Sequence, residues 1–471
     1  MSFDPIAYLS EPRWRESRLG LGRMRALLDR VGAPERGLSF THVAGTNGKG
    51  SVCACLGSIL QAAGYRTGLF TSPFIDGMDE SIRVDGENIS FAELRDAAQL
   101  VREAADAMDD HPTEFELLCA VAMLHFARRA CDIVVLEVGL GGRFDATNVI
   151  EDPEVCVIAR IGLDHTDVLG DTLGAVAREK AGIVKDGSRV VSWPQEPQAR
   201  AAVEEACGER RARVSFADFA QLAVEPLVLR AEGADAAAMG EGPMADAPMR
   251  RFAYRGLPCE TRLLASYQPR NAALAIDAAL ALRERGWDIP AAAIQAGIAA
   301  ARWPGRFEVV ARRPLTILDG GHNPQGAQVL AETLGEVLPG ARPAFVVGVL
   351  SDKDYASMLE AIAPLGCAFV AYAPSSPRAL PGRELAEAIR AAVGKTSAGD
   401  GPGGRAGGPS WIPVCEADGA VEAWRLARSI VGPQGAVCAF GSLYSMGEMR
   451  RAVARDAMSD SSERRVRTCT D

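Results

Sequence analysis

Through most of the chain, short and almost uninterrupted apolar runs alternate with longer stretches whose apolar residues recur every three or four positions. SFTHVA (39–44), YRTGLFTS (65–72), CDIVVLEVG (131–139) and EVCVIARIG (154–162) are of the first kind, each ending in glycine or polar residues. Such runs predict strands buried on both faces, as in a parallel sheet covered by helices. RVVSW (189–193) and VSF (214–216) predict two more. After the first run, Val52, Cys55, Leu56, Ile59 and Leu60 share one helical face. An N-terminal helical stretch precedes all of this, and an Ala-rich helix is predicted over roughly 268–284.

ARWPGRFEVV (301–310) places a Pro-Gly turn between two elements and reads as a domain junction. Beyond it the alternation restarts with LTILDGG (315–321), a helix from Pro324, PAFVVGVL (343–350), CAFVAYA (367–373) and AVCAFGS (436–442). The pattern therefore predicts an α/β protein of two domains, 1–302 and 303–455, with a charged, frayed tail over 456–471. Residues 231–250 read as a surface loop or part of an irregular sheet edge, and 395–409 as a Gly-rich, low-complexity loop. No internal repeat is evident.

Composition narrows the function. The 471 residues provide for two or three domains. Lys+Arg number 51 against 61 Asp+Glu, a net charge of −10, which argues against general affinity for nucleic acid or anionic membranes. No apolar run reaches the roughly 18 residues of a membrane span, and MSFDPIAYLSEPRW lacks the basic flank and apolar stretch of a signal peptide. The 11 cysteines are scattered through apolar segments. Cys53 and Cys55 cannot make a zinc knuckle alone and face two directions if helical. Reduced core cysteines of a cytoplasmic protein are expected.

The strongest chemical signal is Gly45-Thr46-Asn47-Gly48-Lys49-Gly50-Ser51, set between a predicted strand and a predicted helix. Glycines let successive N–H groups converge on phosphate oxygens, and the helix N-terminus adds partial positive charge. Lys49 can reach the outer phosphates and Ser51 can offer a hydroxyl to Mg²⁺. The spacing departs from the usual Walker pattern, and an ordinary Gly-rich turn is the alternative. Glu137 ends an apolar strand, where open α/β sheets place their ligand crevice; it is either a metal ligand or the partner of a cation such as Arg143. Asp164 and His165 follow the next strand, where a histidine is a second metal ligand or a packing residue. Lys180 alone reads as a solvated lysine near a helix C-terminus.

The order of THVAGTNGKGSV, TSPFI, TEFELL, EVGLGGRFDATN, LDHTDVLG, REKAGIV, YQPRNAALA, WPGRFEV, DGGHNP and GSLYSMGE resembles that of the folylpolyglutamate synthase and dihydrofolate synthase family, ATP-dependent amide-forming ligases of the Mur ligase superfamily. The likeness covers roughly residues 1–450. It implies an ATP-binding domain with a mostly parallel sheet and a smaller C-terminal α/β domain closing over the cleft. By motif, it implies that Lys49 and the loop amides of Gly45–Ser51 hold phosphates, that Ser51 and Glu137 bind one Mg²⁺ and His165 a second, and that Lys180 is carbamylated. Asn271 matches an adenine contact and Asp319 a ribose contact. Arg306 and His322 match residues that approach the phosphates or the incoming glutamate. Thr71, Ser72, Pro73, Phe74 and Phe115 with Glu116 match the pterin-binding region, and Asp145 and Ser442 are likewise implied as substrate-binding. Two departures stand out. Phe74 replaces the histidine frequent after Ser-Pro, which affects pterin contact, and Gly321 replaces the alanine of DGAHNP, a change expected to be mild.

The chemistry implied is transfer of the γ-phosphate of ATP to a pteroate- or folate-type carboxylate, then attack of L-glutamate on the acyl phosphate. Bifunctional action on dihydropteroate and on folates is expected, from a monomer without nucleic-acid or membrane partners. A peptidoglycan-precursor ligase and a non-catalytic nucleotide switch are the alternatives. The first is disfavoured by TEFELL and GSLYSMGE. The second is separable by glutamate-dependent ADP release.

Overall fold

The computed structural model describes residues 3–14, 18–229, 248–398 and 412–467. They form two compact units, Met1–Val224 with Arg251–Arg262 and Gln268–Arg302, and Glu225–Arg250 with Leu263–Tyr267 and Trp303–Asp471. The chain thus leaves the first unit twice before the Pro-Gly turn at 304–305.

The first unit is built on β1 (Phe40–Ala44), β2 (Thr67–Phe70), β3 (Ile82–Val84), β4 (Glu87–Asn88), β5 (Ile133–Glu137), β6 (Val155–Ile158), β7 (Arg189–Ser192) and β8 (Arg213–Phe216). Their order is β4-β3-β2-β5-β1-β6-β7-β8. Neighbours from β2 to β8 are parallel, while β3 and β4 run antiparallel at one edge. β1, β5 and β6 are buried at every residue, which is why they read as unbroken apolar runs. β1 lies between β5 and β6, with Val43 beside Glu137 and Ala44 beside Ile158. The chain leaves β1 where strand order reverses, and that is where such sheets open a crevice.

The helix Lys49–Ala62 departs from its expected single apolar face: Val52, Cys53, Ala54, Cys55, Leu56, Ile59 and Leu60 are all buried. It is enclosed because the helix Ala291–Ala300 crosses it at backbone distance. A Cβ on Gly297 would lie 2.4 Å from Ile59 Cα. The described cysteines are free and mostly buried, Cys53 and Cys55 among them. β9 (Leu222–Val224), β10 (Arg250–Tyr254) and β11 (Leu257–Thr261) add a small sheet.

The second unit has β12 (Glu308–Arg312), β13 (Leu315–Asp319), β14 (Ala344–Val347), β15 (Ala368–Ala371), β16 (Val414–Glu416) and β17 (Ala436–Phe440), ordered β12-β13-β17-β14-β15-β16. Only β12 is antiparallel to its neighbour. Leu330, Leu334, Phe345, Phe369, Leu385 and Phe440 are part of its core.

One local expectation is corrected. The helix Gly382–Ala398 runs through 395–398, and the rest of the Gly-rich stretch, 399–411, lies outside the described residues. The segment from 456 continues the helix Leu443–Arg467. Met446, Met449 and Ala452 are buried in its first half. Of the expected loop 231–250, Arg250 opens β10 and 231–247 lie outside the described residues. Among the described residues no helix is long and apolar enough to cross a membrane.

Candidate active site

The turn after β1 is held in place by main-chain bonds to the segment after β6. Thr46 N and Asn47 N donate to Arg160 O at 2.9 and 3.1 Å. Thr46 Oγ1 donates to Gly162 O at 2.9 Å and accepts from Gly162 N at 3.0 Å. Gly48 caps the following helix at φ 90°, a left-handed conformation that favours glycine. A Cβ there would also lie 2.6 Å from Asn271 Oδ1. The half-buried Lys49 has its Nζ 3.5 Å from Thr46 O, folded back over the turn.

Ser51 is buried, and its Oγ accepts from Gln268 Nε2 at 3.1 Å; Gln268 Oε1 in turn accepts from Asn271 Nδ2 at 3.1 Å. One polar chain therefore joins the proposed metal-binding hydroxyl to the proposed adenine contact, both on the first turns of their helices. Glu137, 2% exposed, accepts from Ser72 N at 3.2 Å. Burial, then the Glu137 charge, push the Cys53 thiol well above its ordinary range while Lys49 opposes. Glu137 and Lys49 thus both act on the start of the same helix.

Lys180 is not a solvated lysine. It is 5% exposed, and its Nζ donates to Gly45 O at 2.9 Å. Burial first, and the Lys49 charge second, lower its pKa to about 7, against the pull of Asp164 and Asp145. These four charged groups and the phosphate turn share one neighbourhood.

His165 adopts a left-handed backbone (φ 49°) before the short helix Thr166–Leu169. Its imidazole is 49% exposed, with Nε2 3.9 Å from Asp164 Oδ1. Among the described residues no three His, Cys, Asp or Glu side chains converge on a metal position. Ser51 and Glu137 offer one hydroxyl and one carboxylate, a donor set that fits Mg²⁺ completed by phosphate oxygens and water.

The segments matched to pterin binding lie beside Glu137. Thr71 is buried, the Ser72–Pro73 peptide bond is cis, and Phe74 packs on the core. Phe115 is half-buried and meets Phe70 at 5.8 Å between ring centroids. Glu116 serves the helix itself. With Thr113 it forms a capping box at the start of Glu114–Arg128, and it accepts from Arg23 Nε at 3.2 Å. The Thr-x-x-Glu spacing in TEFELL signals that cap. Asp145 caps the turn Ala146–Val149 and accepts from Leu140 N at 2.8 Å, closing the loop 139–145 on itself. Arg143 and Phe144 of this loop line a cavity of about 940 Å³ with Leu21, Arg25 and Lys185.

In the second unit, Asp319 ends β13. Burial raises its carboxyl pKa, opposed by the Arg306 charge and by N–H groups of Gly321 and Phe307, at 2.8 and 3.0 Å. His322 Nδ1 donates to Gly320 O at 3.0 Å. Ser442 is buried and accepts from Tyr444 N at 3.3 Å, opening the last helix. Gly321 is a less mild departure than expected. A Cβ there would lie 2.9 Å from Asp319 Oδ1 and 3.1 Å from the Phe440 ring. Gly321→Ala is expected to cost about 1–3 kcal/mol of stability, read as a lower urea midpoint; an unchanged midpoint would show that the Asp319 carboxylate yields freely.

Sequence reasoning missed Arg160 and Gly162, which act through main-chain atoms and carry no side-chain signal. It also missed Gln268, although Gln268 stands in YQPRNAALA.

Comparison with known proteins gives a consistent result. Residues 43–279 match the Mur ligase middle domain and residues 305–443 the Mur ligase glutamate ligase domain. The chain is 38% identical over 394 residues to a dihydrofolate synthase/folylpolyglutamate synthase of Bacillus subtilis, covering 81% of this chain and 89% of that one. It is 35% identical to the Escherichia coli protein of the same description, over 75% and 77% of the two chains. A solved structure of Mycobacterium tuberculosis folylpolyglutamate synthase complexed with ADP superposes with a TM-score of 0.80 at 29% identity, over 95% and 98% of the chains. The chain belongs to the Mur ligase family, in its dihydrofolate synthase/folylpolyglutamate synthase branch.

Proposed function

We propose that this chain is an ADP-forming ligase that joins L-glutamate to a pteroate- or folate-type carboxylate, acting both as dihydrofolate synthase and as folylpolyglutamate synthase. The observation that carries the reading is the phosphate turn at the switch point of the sheet, with Lys49, Ser51, Glu137 and Lys180 gathered around it. The turn amides and Lys49 bind the phosphates, and Asn271 takes the adenine. The carboxylate of the acceptor attacks the γ-phosphorus, ADP leaves, and the glutamate amine displaces phosphate from the acyl phosphate. A free carboxylate is a poor electrophile, so phosphorylation is the activating step. Catalysis is chiefly positioning and neutralisation of charge.

Ser51 and Glu137 would hold one Mg²⁺ and His165 a second. Each ion, when bound, offsets phosphate charge. Asp319 serves the ribose, while Arg306, His322 and Ser442 serve the phosphates or glutamate. Thr71–Phe74, Phe115 and Asp145 border the pterin. We further propose that the enzyme acts as a monomer in the cytoplasm.

A pKa of about 7 leaves a large fraction of Lys180 as the neutral amine that reacts with CO₂. This supports a carbamate at Lys180, where an anion would suit a site crowded with divalent cations. Lys180→Ala is expected to lose ligation and regain part of it with added formate or acetate. No rescue, together with no carbamate carbon signal in protein equilibrated with ¹³C-bicarbonate, would remove the carbamate. The unmodified amine also has a pH signature. Its folded pKa lies below the unfolded value near 10.4, so from about pH 7 to 10 the unfolded chain holds a proton that the folded chain has released. Stability should rise with pH across that window, and Lys180→Met should flatten the rise.

The test of function is ADP formation with dihydropteroate and with tetrahydrofolate separately, each with and without glutamate. Glutamate-dependent release with both is expected. Slow release indifferent to glutamate and folate would mark a nucleotide switch and overturn the ligase reading.

A further inference from the structure

The strand that feeds the phosphate turn carries a fully buried histidine, His42, with no part in the chemistry above. Its Nε2 lies 2.9 Å from Thr147 Oγ1, and that hydroxyl donates to Asp145 Oδ1. A hydroxyl has one proton. Thr147 gives its own to the carboxylate, so the bond to His42 must be donated by Nε2–H, and Nδ1 is left as a bare lone pair. Nδ1 has no hydrogen-bond partner among the described residues. Burial, aided slightly by the Lys185 charge, lowers the His42 pKa to about 3, so the ring is neutral.

An apolar side chain would fill this site without stranding a nitrogen, and a stranded buried nitrogen has a desolvation cost. The one bond His42 makes is thus the reason for its presence. It links β1, three residues before Gly45, to a carboxylate that also accepts from Thr147 N at 3.0 Å and Leu140 N at 2.8 Å. Burial raises the Asp145 pKa, and these donors oppose it.

We infer that His42 is a positioning residue, which through the Thr147 hydroxyl fixes the Asp145 carboxylate and with it the loop 139–145 against which the folate-type substrate is aligned. This rests on the ligase reading above. The relay ties that loop to the strand bearing the phosphate turn, so that acceptor and phosphate keep one registration. Losing the outer partner of a metal ligand costs about 10–100-fold, and a loss of that order is expected for this substrate-side carboxylate.

The test pairs two removals with two conservative exchanges. His42→Leu and Thr147→Val are each expected to raise KM for dihydropteroate about tenfold with KM for ATP unchanged. His42→Gln, which keeps an N–H donor, and Thr147→Ser, which keeps the hydroxyl, should stay near wild type. The double variant His42→Leu/Thr147→Val should be no worse than either single one, because both cut the same chain. In wild-type protein, ¹⁵N chemical shifts should report the Nε2–H tautomer of His42, a measurement independent of whether any variant folds. An Nδ1–H tautomer, fully additive losses, or an unchanged KM in Thr147→Val would overturn the inference. If no folate supports turnover, the ligase reading falls while the tautomer still decides the relay.

Discussion

Lys49→Ala should abolish ligation while leaving the fold intact, with kcat/KM for ATP falling by ~10³-fold or more. The turn does not depend on this side chain for its shape: Thr46 and Asn47 are tied to Arg160, Gly48 supplies the left-handed cap, and Lys180 holds Gly45 O. What the substitution removes is the ammonium carried on the first helical residue, where transferring charge has to be met. Lys49→Arg should recover little, because a planar fork does not replace a compact point charge on so short a turn. A second consequence follows from electrostatics. The Lys49 charge helps depress the Lys180 pKa, so its loss should let Lys180 rise and reduce the neutral amine near pH 7. The measurement is glutamate-dependent ADP formation over a range of ATP concentrations, beside a melting temperature. Turnover within tenfold of wild type in a folded protein would remove the phosphate assignment of the turn.

The strands that build the crevice were readable because each is buried on both faces and so apolar throughout: FTHVA, IVVLE and VCVI announce themselves. β4 and β9 do not, being two or three residues long and largely exposed on a sheet edge. Glu137 stood out as one acid ending an apolar strand. Lys180 did not, because its burial depends on a carbonyl 135 residues away. His42 stood in plain view within THVAGTNGKGSV, yet its meaning needed Thr147, 105 residues further on. Glu116 shows the opposite case. Its local cap was legible from Thr113 three residues earlier, while the resemblance drew attention to substrate instead. Periodicity thus reports burial of an element well, but the partners of a polar side chain are set by topology, on which the local pattern is silent.

Glu137→Gln should keep the melting temperature near wild type and raise the Mg²⁺ concentration for half-maximal ADP formation about 10–100-fold. The carboxylate ends β5 beside Val43, one residue before the last of β1, and accepts from Ser72 N. Glutamine keeps the size and an acceptor oxygen for that bond, so the loop 71–74 stays in place. It withdraws the negative charge, and a hard dication binds an amide oxygen far less well than a carboxylate. Glu137→Ala makes the contrast. It should lose the Ser72 bond as well and leave a void beside a buried strand, lowering stability in addition to metal response. The two variants therefore separate two roles for one side chain. If Gln and Ala both leave the Mg²⁺ titration unchanged and differ only in stability, Glu137 is an anchor for Ser72 and holds no ion. If Gln shifts the titration without unfolding the chain, the carboxylate is needed for its charge, as a group placed at the switch point of an ATP-binding sheet should be.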